Sequence, residues 1–167
     1  MPHTHSALKV HVIFSTRKQE ALLDPALLER LVPYLAKVLR SAECTPLAVN
    51  GFQDHMHAVF GYSPRLALSN VLRELKGSSS SWVRHQMPER RNFAWQEGFA
   101  AYSVSPSRVP EAVRYVETQE EHHREKSFEE EYLEFLALGG IQIDEPSVFE
   151  ADGSRKVSST NAVWNFG

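Results

Sequence analysis

Ala48-Val49-Asn50-Gly51-Phe52-Gln53-Asp54-His55-Met56-His57-Ala58-Val59-Phe60-Gly61 decides how this chain folds. Two runs with strand character flank Gln53-Asp54, and a link that short pairs them as an antiparallel hairpin. In a strand, residues i and i+2 point to one face. His55 and His57 therefore project side by side, while Met56 turns to the opposite, core-facing side. Two imidazoles held this way can take neighbouring positions on one metal ion. Two histidines on the polar face of an amphipathic strand give the same pattern, so the hairpin alone does not choose between the readings.

Upstream, Leu8 to Ser15 alternates and is rich in β-branched and aromatic residues, which predicts the first strand. His11 lies on its Lys9/Ile13 face and reads as a structural histidine or a site residue. Thr16-Arg17-Lys18-Gln19 follows as a basic loop, either a phosphate contact or plain surface. Asp24-Pro25 starts a helix, with Asp24 as N-cap, and Leu27, Leu28, Leu31, Leu35, Val38 and Leu39 form its apolar stripe to about Ser41. Pro33 is expected to bend or divide it.

Downstream of the hairpin, Ser63-Pro64-Arg65 ends the strand and Ser69 is placed to cap a second long helix to about Arg84. The run Gly77-Ser78-Ser79-Ser80-Ser81 within it is poor in helix propensity, and a linker is the plain alternative. A turn and a fourth strand follow over 94–105, where Trp95, Phe99 and Tyr102 could stack on unpaired bases or pack inward, with core the reading for Phe99. Ser105 or Ser107 caps a helix over 111–123, and an acidic helix from Phe128 to about Leu138 stops at Gly139-Gly140. This order predicts an α+β fold, a ferredoxin-like antiparallel sheet of about four to five strands with helices packed on one face. Residues 1–145 read as a single domain and 146–167 as a polar tail.

Within the helix over 111–123, Tyr115 and Gln119 are four apart and share one face, with His122 or His123 a turn further on. Asp54-His55-Met56-His57, then Leu72-Arg73-Glu74-Leu75-Lys76-Gly77 with its serines and Trp82, then Trp95-Gln96-Glu97-Gly98-Phe99-Ala100-Ala101-Tyr102, then Arg114-Tyr115-Val116-Glu117-Thr118-Gln119-Glu120-Glu121-His122-His123 stand in that order. Together these four blocks resemble the single-tyrosine HUH transposases of small insertion sequences and their repeat-associated relatives. The resemblance runs from about Val10 to about Phe135 and implies the same fold.

The resemblance implies Tyr115 as nucleophile and His55, His57 and Gln119 as ligands of Mg²⁺ or Mn²⁺, with Mn²⁺ the better match to imidazole. A tyrosine near its usual pKa of about 10 needs such help to attack a phosphate. His122 or His123 could serve as third ligand instead, and Asp54 suits orienting one histidine or ending the hairpin. The resemblance also implies DNA contacts by Arg73 and Lys76, beside the Arg17-Lys18 loop. The partner it implies is single-stranded DNA carrying a hairpin, bound by a homodimer, with cleavage and rejoining through a 5′-phosphotyrosine. Two other readings stand beside it: a domesticated hairpin binder that no longer transposes, and a structural zinc module built on His55, His57, His122 and His123.

Composition bounds these readings. A chain of 167 residues can bury a substantial core. No apolar run is long enough to span a membrane, and the single Cys44 cannot form an internal disulfide, so a cytoplasmic setting is expected. The net charge of −3 is unevenly spread: residues 1–108 hold 13 Lys/Arg against 8 Asp/Glu, and residues 109–167 hold 5 against 13. The basic share thus sits with the expected binding surface, where local sign steers a polyanion. The acidic C-terminal helices read as solvated faces.

Overall fold

The computed structural model describes residues 3–141. The tail expected over 146–167 lies outside these residues. Strand β1 (Lys9–Ser15) leads through a 3-10 turn (Arg17–Gln19) into α1 (Pro25–Ser41), followed by the hairpin β2 (Thr45–Phe52) and β3 (His55–Gly61). Then come α2 (Leu68–Gln86), β4 (Ala100–Ser103), α3 (Val109–Glu117), α4 (Gln119–His122) and α5 (Phe128–Leu138). The four strands form one sheet in the order β2-β3-β1-β4, with every neighbouring pair antiparallel. This is the ferredoxin-like order.

The register assigns each residue to a face. Val10, Val12 and Phe14 of β1 lie opposite Phe60, Ala58 and Met56 of β3, and all six are buried against the leucine stripe of α1 and against Val71, Leu72 and Leu75 of α2. Each large side chain buried there contributes about 1.5–3 kcal/mol. The opposite face carries His11, Ile13, His55, His57 and Val59. Helices were expected on one face only. The two long helices obey this, but α3, α4 and α5 cover the second face, so every residue of β3 is buried.

Local chemistry explains most boundaries. The Asp24 carboxylate accepts the Leu27 N–H at 2.9 Å, and Pro25 occupies the first turn of α1. Pro33 does not divide the helix, because Leu27 and Leu31 before it and Leu35 and Leu39 after it are all buried in one core. The serine run of α2 stays helical because its hydroxyls bond the preceding turn, Ser79 Oγ to Leu75 O at 2.6 Å and Ser80 Oγ to Gly77 O at 3.1 Å. Ser69 is not the cap; Ala67 holds that position, and neither Ser105 nor Ser107 caps α3, which starts after Arg108. In the hairpin, Gly51 faces Met56, and a Cβ there would stand 2.6 Å from the His55 carbonyl oxygen. Only glycine lets the two strands close at that point.

Candidate active site

The helix expected over 111–123 is broken at Thr118, whose φ/ψ of −106°/31° separates α3 from α4. The Thr118 hydroxyl bonds the Arg114 carbonyl at 2.9 Å and stabilises the break. Tyr115 and Gln119 nonetheless stay one turn apart, with Gln119 Nε2 donating to the Tyr115 carbonyl at 3.2 Å. The break turns His123 toward the sheet. Its ring stacks on Phe52 at 5.2 Å and lies 4.6 Å from that of His55.

A capping box at Ser127 and Glu130 starts α5, which lays Phe128 flat against His55 at 4.2 Å and Phe135 against His11 and Tyr115 at 5.1 and 5.3 Å. Between these aromatics α5 directs Glu131, 1% exposed, into the histidines. Glu131 Oε1 lies 2.7 Å from His57 Nε2 and 3.5 Å from His55 Nε2; Oε2 lies 3.1 Å from His123 Nε2. Tyr115 donates its hydroxyl to the same Oε2 at 2.6 Å. Gln119 Oε1 stands 3.4 Å from His55 Nε2 and 3.2 Å from His123 Nε2. One donor atom from each of His55, His57, His123 and Glu131 lies within 4.8 Å of the others.

The far side of each imidazole fixes what the near side offers. His55 Nδ1 meets the Asp54 carboxylate at 2.7 Å and His123 Nδ1 meets the Lys126 carbonyl at 2.8 Å. Both partners only accept, so both Nδ1 atoms carry a proton, and with the rings neutral both Nε2 atoms turn lone pairs inward. His57 Nδ1 lies 2.8 Å from His11 Nε2, and when His57 is the donor there its Nε2 is bare. His57 Nε2 and Glu131 Oε1 are buried and, though close, make no hydrogen bond. Electron pairs from three imidazoles, a carboxylate and an amide oxygen thus converge on one point, an arrangement that calls for a cation.

Electrostatics separate the two strand histidines. Burial pushes His57 down to about 4, keeping it neutral. For His55 burial works the same way, but the Asp54 and Glu131 carboxylates outweigh it and its pKa ends above the usual value. Burial would raise Glu131, yet the three imidazoles packed against its carboxylate hold it well below the carboxylate range. Burial and then the Glu131 charge raise the Tyr115 phenol. Without a cation, therefore, the phenol keeps its proton.

A family model described as Transposase IS200 like matches residues 4–119. The chain belongs to the IS200-like transposase family. Two solved structures share the fold at 18% identity. A candidate transposase from Deinococcus radiodurans R1 has a TM-score of 0.59 over 71% of this chain and 96% of its own. A REP-associated tyrosine transposase bound to a REP hairpin has a TM-score of 0.53 over 74% of each chain. Among the curated proteins none matches.

Set beside the site of this IS200-like transposase, the expected residues divide. His55, His57, Gln119, Tyr115 and His123 come together, with Asp54 behind His55. His122 does not join them: it stacks on Tyr115 at 4.3 Å, and its Nε2 meets the Thr118 hydroxyl at 3.0 Å. The zinc arrangement with His122 as fourth ligand is therefore not assembled. Glu131 was missed. Its signal was its place in the apolar stripe of α5, Phe128-Glu131-Tyr132-Phe135, where a carboxylate at a core position needs a reason.

The basic residues lie around the same end of the sheet. Thr16 N–H bonds the Asp54 carbonyl at 2.8 Å, which places Arg17 and Lys18 beside the hairpin turn. Lys76 is engaged, its Nζ bonding the carbonyls of Gln96 and Gly98 at 2.6 and 2.5 Å, and burial lowers its pKa. With Arg73, Ser69, Leu72, Gly98 and Phe99 it lines a cavity of about 300 Å³. Phe99 is 38% exposed, which corrects its reading as core, whereas Trp95 is buried and donates to Ser79 Oγ at 2.9 Å. No helix among the described residues is long and apolar enough to cross a membrane.

Proposed function

We propose that this transposase is a metal-dependent enzyme that cleaves and rejoins single-stranded DNA next to a hairpin, with Tyr115 as nucleophile. The observation that carries the reading is the 2.6 Å hydrogen bond from the Tyr115 hydroxyl into the inward-facing His55, His57, His123 and Glu131 cluster. Mg²⁺ or Mn²⁺ bound there would polarise the scissile phosphate and weaken the phenol's hold on its proton. Tyr115 Oη forms a bond to phosphorus as the bond to the 3′ oxygen breaks. The phenolic proton leaves along the existing hydrogen bond to Glu131 and passes on to water, and the departing 3′ oxygen takes a proton from water. The 5′ phosphate stays on Tyr115, and attack by another 3′ hydroxyl reverses the step without external energy.

Arg17, Lys18, Arg73 and the exposed Phe99 supply phosphate contacts and a stacking surface at the same end of the sheet. Lys76 serves by holding the 96–98 loop in place. The solved relative bound to a REP hairpin supports a hairpin as the recognised element. We place the working unit as a homodimer on the family resemblance.

The test is covalent trapping with Mn²⁺ or Mg²⁺ and end-labelled single strands carrying hairpins from the chain's own genomic neighbourhood. A metal-dependent adduct retaining the DNA 3′ to the break is expected, absent in Tyr115→Phe and His57→Ala. An adduct that survives Tyr115→Phe would remove the tyrosine from its role.

A further inference from the structure

We propose that the ion's ligand set is His55, His57, His123 and Glu131, with Glu131 bridging ion and nucleophile, and that this set selects a borderline transition ion over Mg²⁺. The proposal rests on the metal-dependent reading above and goes beyond it in the ligands and the class of ion. It stands on three features of the site.

The first is spacing. Ligands bound about 2.1 Å from one ion lie roughly 3–3.4 Å apart. Glu131 Oε1 lies 2.7 and 3.5 Å from the Nε2 atoms of His57 and His55, which brackets that range. Its other oxygen lies 3.1 Å from His123 Nε2, and one donor atom from each of the four residues lies within 4.8 Å of the others. The second is donor chemistry. Three imidazole nitrogens and one carboxylate suit Mn²⁺, Co²⁺ or Zn²⁺, whereas Mg²⁺ prefers oxygen ligands and keeps its waters. A site in which His55 and His57 are fully buried gives such waters little room. The third is the division of labour in one side chain. Glu131 Oε1 faces the bared nitrogens of His55 and His57, while Oε2 accepts the Tyr115 hydroxyl. A carboxylate used this way fixes the phenol oxygen beside the ion. Gln119 then acts mainly as a brace, its Nε2 tied to the Tyr115 carbonyl.

Three neutral ligands and one anion leave a divalent ion with net positive charge for a phosphate. They also tie α5 to the sheet through the ion, so ion binding should strengthen the docking of α5. Glu131 and His123 lie outside residues 4–119, the stretch that matches the family model, whereas His55 and His57 lie within it.

The experiment titrates the full, chelator-stripped chain with Co²⁺, read by its visible absorption, then competes the ion with Mn²⁺ and with Mg²⁺. One Co²⁺ per chain is expected, displaced by Mn²⁺ but not by a 100-fold excess of Mg²⁺. Glu131→Gln and His123→Ala should each weaken Co²⁺ at least about tenfold, since even partners behind a ligand typically cost that much. His122→Ala should leave it unchanged. X-ray absorption on the unaltered Co²⁺ protein should count three imidazoles, a readout that needs no variant to fold. Displacement by equimolar Mg²⁺, wild-type affinity in Glu131→Gln, or a count of two imidazoles each overturns the proposal while the metal-dependent reading stands. If neither Co²⁺ nor Mn²⁺ binds the unaltered chain, both fall together.

Discussion

At the scale of single residues, each inward-facing imidazole is oriented from behind, by Asp54, His11 and the Lys126 carbonyl. His11→Ala should therefore lower affinity for Mn²⁺ by about 10- to 100-fold although it touches no ion, measured by titration calorimetry. An unchanged affinity would reduce His11 to packing. How much of this was legible differs residue by residue. That His55 and His57 share a face could be read from alternation alone, because residues i and i+2 of a strand point the same way, but their role as ligands needed the resemblance. Tyr115 needed the resemblance, since a half-buried phenol on an amphipathic helix is ordinary. His11 fitted the strand pattern, but nothing local says that its Nε2 reaches across to a neighbouring strand. Glu131 looked solvated in a run of glutamates because its partners lie more than 70 residues earlier in the chain and eight residues before it.

At the scale of elements, the strands and long helices followed from sequence because their signals are local: Asp24-Pro25, the leucine stripe and the two-residue turn. The break at Thr118 did not, since it depends on a threonine hydroxyl bonding back to Arg114 and on His123 finding Phe52 and His55. Two elements carry predictions. Gly51→Ala puts a methyl against the His55 carbonyl, and such overpacking should destabilise the fold by about 1–3 kcal/mol in urea melts. It should also spread the two histidines that begin β3. Ser127→Ala removes the acceptor of the Glu130 N–H and should cost about 1 kcal/mol at the start of α5. Amide exchange would report it as faster opening of α5, with β1 and β3 unchanged.

At the scale of the whole molecule, one face of the sheet supplies the core and the other the chemistry. Leu35→Ala, at a fully buried position on the core side, should cost about 2–5 kcal/mol without altering which ion binds. Acid acts from the other side. Burial holds His57 down at about 4 and His11 at about 3, against about 6.5 when unfolded. Between roughly pH 6.5 and 4 the unfolded chain takes up protons that the folded chain refuses, so stability falls as pH is lowered through that window. His55, held above its usual value, acts only above about pH 6.5, and Glu131 adds to the loss only below about 4.5. Chelator-treated protein should therefore melt at a lower temperature near pH 5 than near pH 7. A flat profile would mean that the buried histidines already carry protons.

The position of Glu131 late in the chain has a last consequence. The histidines, the tyrosine and the four strands all leave the ribosome before the carboxylate that joins them. A chain stopped after Lys126 would keep its sheet and its leucine core but lack the bridge between ion and phenol. Such a fragment should melt cooperatively yet fail to hold Co²⁺ in the face of Mg²⁺. On the proposed reading, completion of synthesis would then itself complete the site.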